Sequence, residues 1–276
     1  MCYLFGMAEK DFSDRVTDTV LSKEKSQFPS ISAVIVTWNS EDYITDCLSS
    51  LEKELHPAMH EVYVIDNNSS DKTASIVKKK FPFVRMIQNK DNKGFGAANN
   101  QGIRKASGDY ILLLNPDTIV HPGSIFLMTS YLQSHARVGM VGPEQINGEG
   151  KILFNFSRYT LRGLTEYITE SFAPKSLLAK RLRRPYEVPY LNGGCWLARK
   201  AVFTDVGLFD EKLFLYGEEP DMCQRIRTSS WQIHFVRNAM ITHFREGSMR
   251  KIGVKKYFHA LRSFSHVLNK GRSDLD

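Results

Sequence analysis

The side chains best placed for chemistry are carboxylates that sit where the chain turns. Asp117 follows the aliphatic run Ile111 to Leu114 and the pair Asn115-Pro116. Asp66 follows Val62 to Ile65, and Glu218, Glu219 and Asp221 cluster after Gly217, with His243 further on. A carboxylate on a rigid turn suits a divalent cation, which takes one or two protein carboxylates and fills its shell with phosphate oxygens. A second carboxylate beside a hydroxyl suits general-base work. The acids at 218–221 also suit a plainer task, offsetting the dipole of a helix that starts there with Pro220 in its first turn.

The elements that must position these groups alternate regularly. Ile111 to Leu114 is too short for an ordinary helix and too continuously apolar for a strand with one wet face, so it reads as a strand buried on both sides. Pro116 cannot join a ladder and keeps Asn115 extended, which delivers Asp117 on a stiff turn. Upstream, Ile31 to Val36 and Glu61 to Ile65 read as strands, with Phe83 to Ile87 as a third. Helices are expected over 41–53 with Ser40 as N-cap and after Asp71 to about Lys80, and Gly94 to Gly102 reads as a glycine- and asparagine-rich turn entering a helix that ends near Ala106. Strand and helix thus alternate at βαβ spacing, which predicts a doubly wound, mostly parallel α/β sheet. Three strands end on polar residues, Thr37 to Asn39, Asp66 to Ser69 and Asn115 to Asp117, at the edge where such sheets bind ligands, so a nucleotide is the expected occupant. The period fades past Pro143. An ordered block follows over 190–227, then two short strands over 233–236 and 239–242.

The 276 residues can bury one large core, and 42% hydrophobic with 24% charged residues is ordinary for a soluble domain. No window approaches a membrane span, and the N-terminal residues lack a signal-peptide pattern, so a cytoplasmic location is expected. The four cysteines have no C-x-x-C spacing, which argues for free buried thiols over a zinc site or disulfide framework. The net charge of +7 invites an anionic partner: nucleic acid, an anionic membrane or a phosphorylated small molecule.

The succession Val34 to Ser40, Val64 to Asp71, Asn92 to Gly102, Leu112 to Asp117, Gly207 to Arg225 and His243 to Ser248 resembles glycosyltransferase family 2, and within it the rhamnosyltransferase-like branch. The resemblance covers about residues 30–250. It implies a GT-A fold and inverting transfer of a sugar, rhamnose as first expectation, from a dTDP- or UDP-sugar to a hydroxyl of a saccharide acceptor, polyprenyl-linked in one form, during cell-surface polysaccharide synthesis. Carried over by position, Thr37 and Trp38 line the base pocket and Asp66 accepts the N3–H of uracil or thymine, with Asn39, Gly94, Asn99, Asn115 and Asp117 completing the nucleotide-sugar set. Asp117 stands at the metal-binding acid of the Asp-x-Asp motif, and Asn115 replaces its first aspartate. His243 is a further ligand of the metal, Mg2+ or Mn2+, or of the diphosphate. Glu219 takes the place of the catalytic base, normally aspartate, and Trp196, Glu218 and Asp221 fall on the acceptor side. Plainer readings stand beside these: Asp66 as an Asx cap, Trp38 as packing and His243 as a structural histidine.

The resulting layout is an N-terminal extension over 1–28, a glycosyltransferase domain over 29–250 and a basic amphipathic helix over 251–276. The domain divides into a nucleotide-sugar half, 29–143, and an acceptor half, 144–250. Lys175, Lys180, Arg181, Arg183 and Arg184, with the basic C-terminal helix, suit either solvent or peripheral contact with an anionic inner-membrane face. No nucleic-acid-binding module appears. A nucleotidyltransferase shares the fold pattern and the metal carboxylates, and a membrane-surface binding protein without catalysis is the non-enzymatic rival.

Overall fold

A computed structural model of the chain describes residues 29–55, 60–153, 186–215 and 217–245. The expected extension over 1–28, the basic cluster at 175–184 and the helix over 251–276 lie outside the described residues.

The first half follows the alternating pattern. Strand β1 (Ile31–Thr37) leads to helix α1 (Ile44–Glu54), β2 (Glu61–Asp66), α2 (Thr73–Lys80), β3 (Arg85–Gln88), α3 (Phe95–Lys105) and β4 (Tyr110–Leu114). All residues of β1 and β4 are buried, as their unbroken apolar runs require. Alternate residues feed two cores: Ile31, Ala33 and Ile35 pack with Ile44, Leu48 and Leu51 of α1, while Val34 and Val36 share a core with Ala98 and Ile103 of α3. Each such fully buried aliphatic side chain contributes about 1.5–3 kcal/mol. The face of α1 that does this is Ile44, Cys47, Leu48 and Leu51, at the expected helical spacing. Ser40 is not its N-cap. The helix begins later, with Tyr43 at its cap, because the Ser40 hydroxyl turns back to Trp38 and its carbonyl accepts from Tyr43 and Ile44.

Beyond β4 the chain forms β5 (Thr118–Val120), α4 (Ser124–Ser134), β6 (Val138–Ile146) and β7 (Ile152–Leu153). Next come β8 (Tyr186–Glu187), β9 (Cys195–Arg199), α5 (Lys200–Asp205), α6 (Glu218–Thr228) and β10 (Gln232–His243). The two short strands expected near 233–242 are one long strand interrupted by register shifts, including one between Val236 and Met240. An irregularity of this kind breaks the apolar pattern in sequence without ending the strand.

All ten strands belong to one sheet with the path β3-β2-β1-β4-β9-β6-β10-β5, from which β7 and β8 branch. The β3-β2-β1-β4 portion is parallel. The second half joins through β9, which is antiparallel to both β4 and β6, while β6 and β10 run parallel. Thus the sheet is doubly wound on one side and mixed on the other. Among the described residues no helix is long and apolar enough to cross a membrane. Cys47, Cys195 and Cys223 are free and buried, and burial pushes the thiols of Cys47 and Cys223 up to about 12 and raises that of Cys195 too. Such thiols are inert near neutral pH.

Candidate active site

Three strand registers meet just past the carboxyl end of β4. Leu114 lies opposite Cys195, so the next residue, Asn115, donates its backbone N–H to Gly194 O at 3.0 Å. Thr118 lies opposite His243, which places Asp117 beside that ring, and Phe244 N–H donates to Asp117 O at 3.0 Å. Gln145 on β6 lies opposite Ile241 of β10, so its side chain reaches the same spot from the third direction. The result is a cluster of Asn115, Asp117, Gln145 and His243, drawn from three separate stretches of chain.

Within it, His243 Nε2 is 3.3 Å from Asp117 Oδ1 and 3.4 Å from Asn115 Nδ2, and His243 Nδ1 is 2.9 Å from Gln145 Oε1. An amide oxygen only accepts, so Nδ1 carries the proton. Nε2 then offers Asp117 a second N–H when the ring is charged, or offers a lone pair to a cation shared with that carboxylate. Asp117 is 7% exposed, and buried Asn115 Oδ1 has no hydrogen-bond partner among the described residues. An orphaned amide oxygen, a carboxylate and an imidazole nitrogen fit a hard divalent cation. Among the described residues no group of three His, Cys, Asp or Glu converges, so a cation held here would rely on other oxygens to complete its shell.

Glu219 approaches from α6, which starts after Gly217 in the left-handed conformation (φ 96°). Its Oε1 accepts the Gly193 N–H at 2.7 Å and its Oε2 accepts the Tyr190 hydroxyl at 2.8 Å. Burial raises its pKa, opposed by those two hydrogen bonds and by the charges of His243 and Arg245. A carboxylate held in place with raised basicity is suited to taking a proton.

The other strand ends are laced together. Thr37 and Asp66 pair across β1 and β2, and the Thr37 hydroxyl donates to Asp66 Oδ1 at 3.2 Å. Ser69 N–H reaches Asp66 Oδ2 at 3.4 Å, the local bond of the Asx reading. Trp38 is half-buried. Asn39 has φ 52°, which an Asn tolerates, and its Oδ1 accepts the Ser70 N–H at 2.7 Å.

The sequence matches the Glycosyl transferase family 2 pattern over residues 32–207, more than half of the chain. The chain belongs to glycosyl transferase family 2. It is 27% identical over 237 residues to the N-acetylglucosaminyl-diphospho-decaprenol L-rhamnosyltransferase of Mycobacterium tuberculosis, covering 79% of this chain and 77% of that protein. It is 26% identical over 236 residues to the poly-beta-1,6-N-acetyl-D-glucosamine synthase of Staphylococcus epidermidis, covering 84% of this chain but only 52% of the synthase. A crystal structure of GalNAc-T7 with UDP, GalNAc and Mn2+ superposes with a TM-score of 0.62 at 20% identity, over 78% of this chain and 44% of that one. The fold is that of GT-A glycosyltransferases, as the resemblance implied, and the chain is a glycosyltransferase, not a nucleotidyltransferase.

Several site expectations for this glycosyltransferase are relocated by the structure. Trp196 is enclosed in the core. It is 1% exposed on β9, stacked on Phe209 with centroids 6.1 Å apart, and its indole N–H donates to Asn192 O. Asp221 also has another use: at 5% exposure it accepts from Arg225 Nε and Nη2 at 2.9 and 2.7 Å, one turn on. Arg225 in turn donates to the carbonyls of Val206, Gly207 and Leu208. Glu218, 4% exposed, is enclosed too. Gly94 joins the halves: it has φ 85°, and a Cβ there would come 2.5 Å from Phe214 O, the atom that accepts the Phe95 N–H. Asn99 is buried and donates to Phe95 O within its own helix.

Five further positions that tie these elements together carried no expectation. Asn67 accepts from Asn89 and Lys93 and donates to Asn92 and Gly94, tying the second strand end to the loop before α3. Asn100 donates to Phe209 O and Glu211 while accepting the Phe209 N–H, which fastens α3 to the second half. Gln145, Tyr190 and Gly193 act at the cluster itself. Only the Gly193-Gly194 pair, standing before an apolar run, left a visible mark in sequence.

Proposed function

We propose that this glycosyltransferase moves a sugar, rhamnose in the first instance, from a dTDP- or UDP-sugar to a hydroxyl of a saccharide acceptor, polyprenyl-linked, with inversion at the anomeric carbon. Its setting would be cell-surface polysaccharide assembly on the cytoplasmic side. The observation that carries the reading is Glu219, a positioned carboxylate of raised basicity facing the Asn115, Asp117 and His243 cluster. Similarity to the mycobacterial rhamnosyltransferase supports the sugar and the acceptor class.

In this reading Glu219 takes the proton of the acceptor hydroxyl as that oxygen bonds to the anomeric carbon, and the bond from that carbon to the diphosphate breaks. The nucleoside diphosphate departs with the bonding pair. Asp117, His243 and the Asn115 amide oxygen would hold Mg2+ or Mn2+, which when bound offsets charge on the leaving diphosphate. Asp66 would accept the N3–H of the pyrimidine and Trp38 would stack on its face, with Thr37 holding the Asp66 carboxylate in place. The basic segments at 175–184 and 251–270, outside the described residues, would give peripheral contact with anionic lipid.

The test is a thermal-shift screen of dTDP-, UDP- and GDP-sugars with and without Mn2+, followed by assay of nucleoside diphosphate release. The expected result is a stabilisation that needs both a pyrimidine nucleotide and the metal. Equal response to all nucleotides, or none to the pyrimidine ones, would refute the donor assignment.

A further inference from the structure

Glu219 and His243 stand on different elements, α6 and β10, and the sheet registers alone do not bring them together. Residues Asn192 to Gly194 do. Gly193 gives its N–H to Glu219 Oε1 at 2.7 Å, and the next residue, Gly194, gives its carbonyl to the Asn115 N–H at 3.0 Å. A Cβ on Gly193 would lie 2.0 Å from Glu219 Oε1. One on Gly194 would lie 2.6 Å from His243 Nδ1 and 2.9 Å from Gln145 Nε2. Neither glycine has a positive φ, so what these positions require is room for a side chain from elsewhere, not backbone freedom. The step is also anchored from behind: Asn192 O accepts the indole N–H of Trp196 at 2.9 Å, and Trp196 is locked against Phe209 in the core.

We propose that the Gly193–Gly194 step is a positioning element that sets the Glu219 carboxylate against the Asn115, Asp117 and His243 cluster, with Trp196 as its anchor. Gly193 serves the base and Gly194 serves the cation-binding side. Two adjacent peptide units therefore fix the separation between the group that takes the proton and the groups that would hold the cation. A shift of about 1 Å in such a separation lowers turnover on the order of a hundredfold. The proposal rests on the reading of Glu219 as base and of Asp117 and His243 as cation ligands.

Three variants of the full chain test it: Gly193→Ala, Gly194→Ala and Trp196→Phe. Each is measured for calorimetric binding of UDP and dTDP with MnCl2, for kcat and KM, and for its unfolding midpoint. Gly194→Ala is expected to weaken Mn2+-dependent nucleotide binding about tenfold to a hundredfold by displacing His243. Gly193→Ala is expected to leave that binding intact and to lower kcat about a hundredfold. If both folded variants lose the same parameter, or neither loses any, the proposal is overturned. Where either alanine variant fails to fold, Trp196→Phe decides. It keeps an aromatic ring on Phe209 while removing the bond to Asn192 and part of the buried indole volume, the latter read by the unfolding midpoint, so both nucleotide affinity and kcat should fall about twofold to tenfold. Wild-type values for both would overturn the proposal. Glu219→Gln and Asp117→Ala, run in parallel, report on the underlying reading: retention of turnover by the first or of Mn2+-dependent binding by the second refutes that reading and not the positioning role.

Discussion

The strand ends of the first half and the cluster of the second half solve the same problem by different means. Thr37, Asn39 and Asp66 are presented by parallel strands whose own ends place them, and Ser69, Ser70 and Asn67 tie the neighbouring loops to one another with several hydrogen bonds. Asp117, Gln145, His243 and Glu219 come from four separated stretches, and their placement depends on strand register and on glycines that leave room. The first arrangement is tolerant, because several bonds between neighbouring loops share the load. The second is brittle, because a displacement in any contributing element moves a group at the centre.

That contrast sets an order of expected effects. Glu219→Gln should be the largest, lowering transfer about a hundredfold to ten-thousandfold while nucleotide binding with Mn2+ survives, as steady-state assay and calorimetry would show. Asp117→Ala should come next, abolishing the Mn2+-dependent part of nucleotide binding, visible as a thermal shift with UDP or dTDP that no longer responds to the metal. If a strand-end change such as Asp66→Ala proved more damaging to turnover than either, the contrast would be reversed. Tyr190→Phe should have a smaller and more specific effect. In the proposed role Glu219 must be deprotonated, and burial already raises its pKa. Removing the Tyr190 hydrogen bond, which stabilises the charged form, should move the acid limb of the kcat/KM profile to higher pH. The gentlest is Asn100→Ala, which leaves the chemistry alone. Removing this staple between α3 and residues 209–211 strands buried backbone groups and should cost about 1–3 kcal/mol in urea unfolding with little change in kcat.

The same contrast explains which parts of the molecule could be read from sequence. The alternation of apolar runs with polar strand ends revealed the parallel half and the polar edge at its carboxyl ends, because local pattern and tertiary position coincide there. The family resemblance then supplied Glu219 and His243, which no local pattern distinguishes from dipole-offsetting or structural residues. Trp196 was placed on the acceptor side by position in the family pattern alone, and its burial against Phe209 is a tertiary contact that the neighbouring residues do not encode. Gln145, Tyr190 and Asn100 were invisible since each acts through a partner 29 to 109 positions away, and nothing in the neighbouring residues encodes that contact. The long strand β10 was split in two by its own irregularity, which interrupts the apolar alternation.

The insertion of β9 between β4 and β6 has a consequence for how the protein is made. A chain emerging from the ribosome completes β1 to β4 early, yet the strand that pairs with the open flank of β4 arrives only with residues 195–199. Until then the apolar ladder of Tyr110 to Leu114 has an unsatisfied edge, the kind of surface that recruits other nascent strands. Closure over so many intervening residues is slow for entropic reasons. Fragments that stop near residue 143 should therefore aggregate, and full-length yield should depend on chaperone supply more steeply than the stability of the finished fold would suggest.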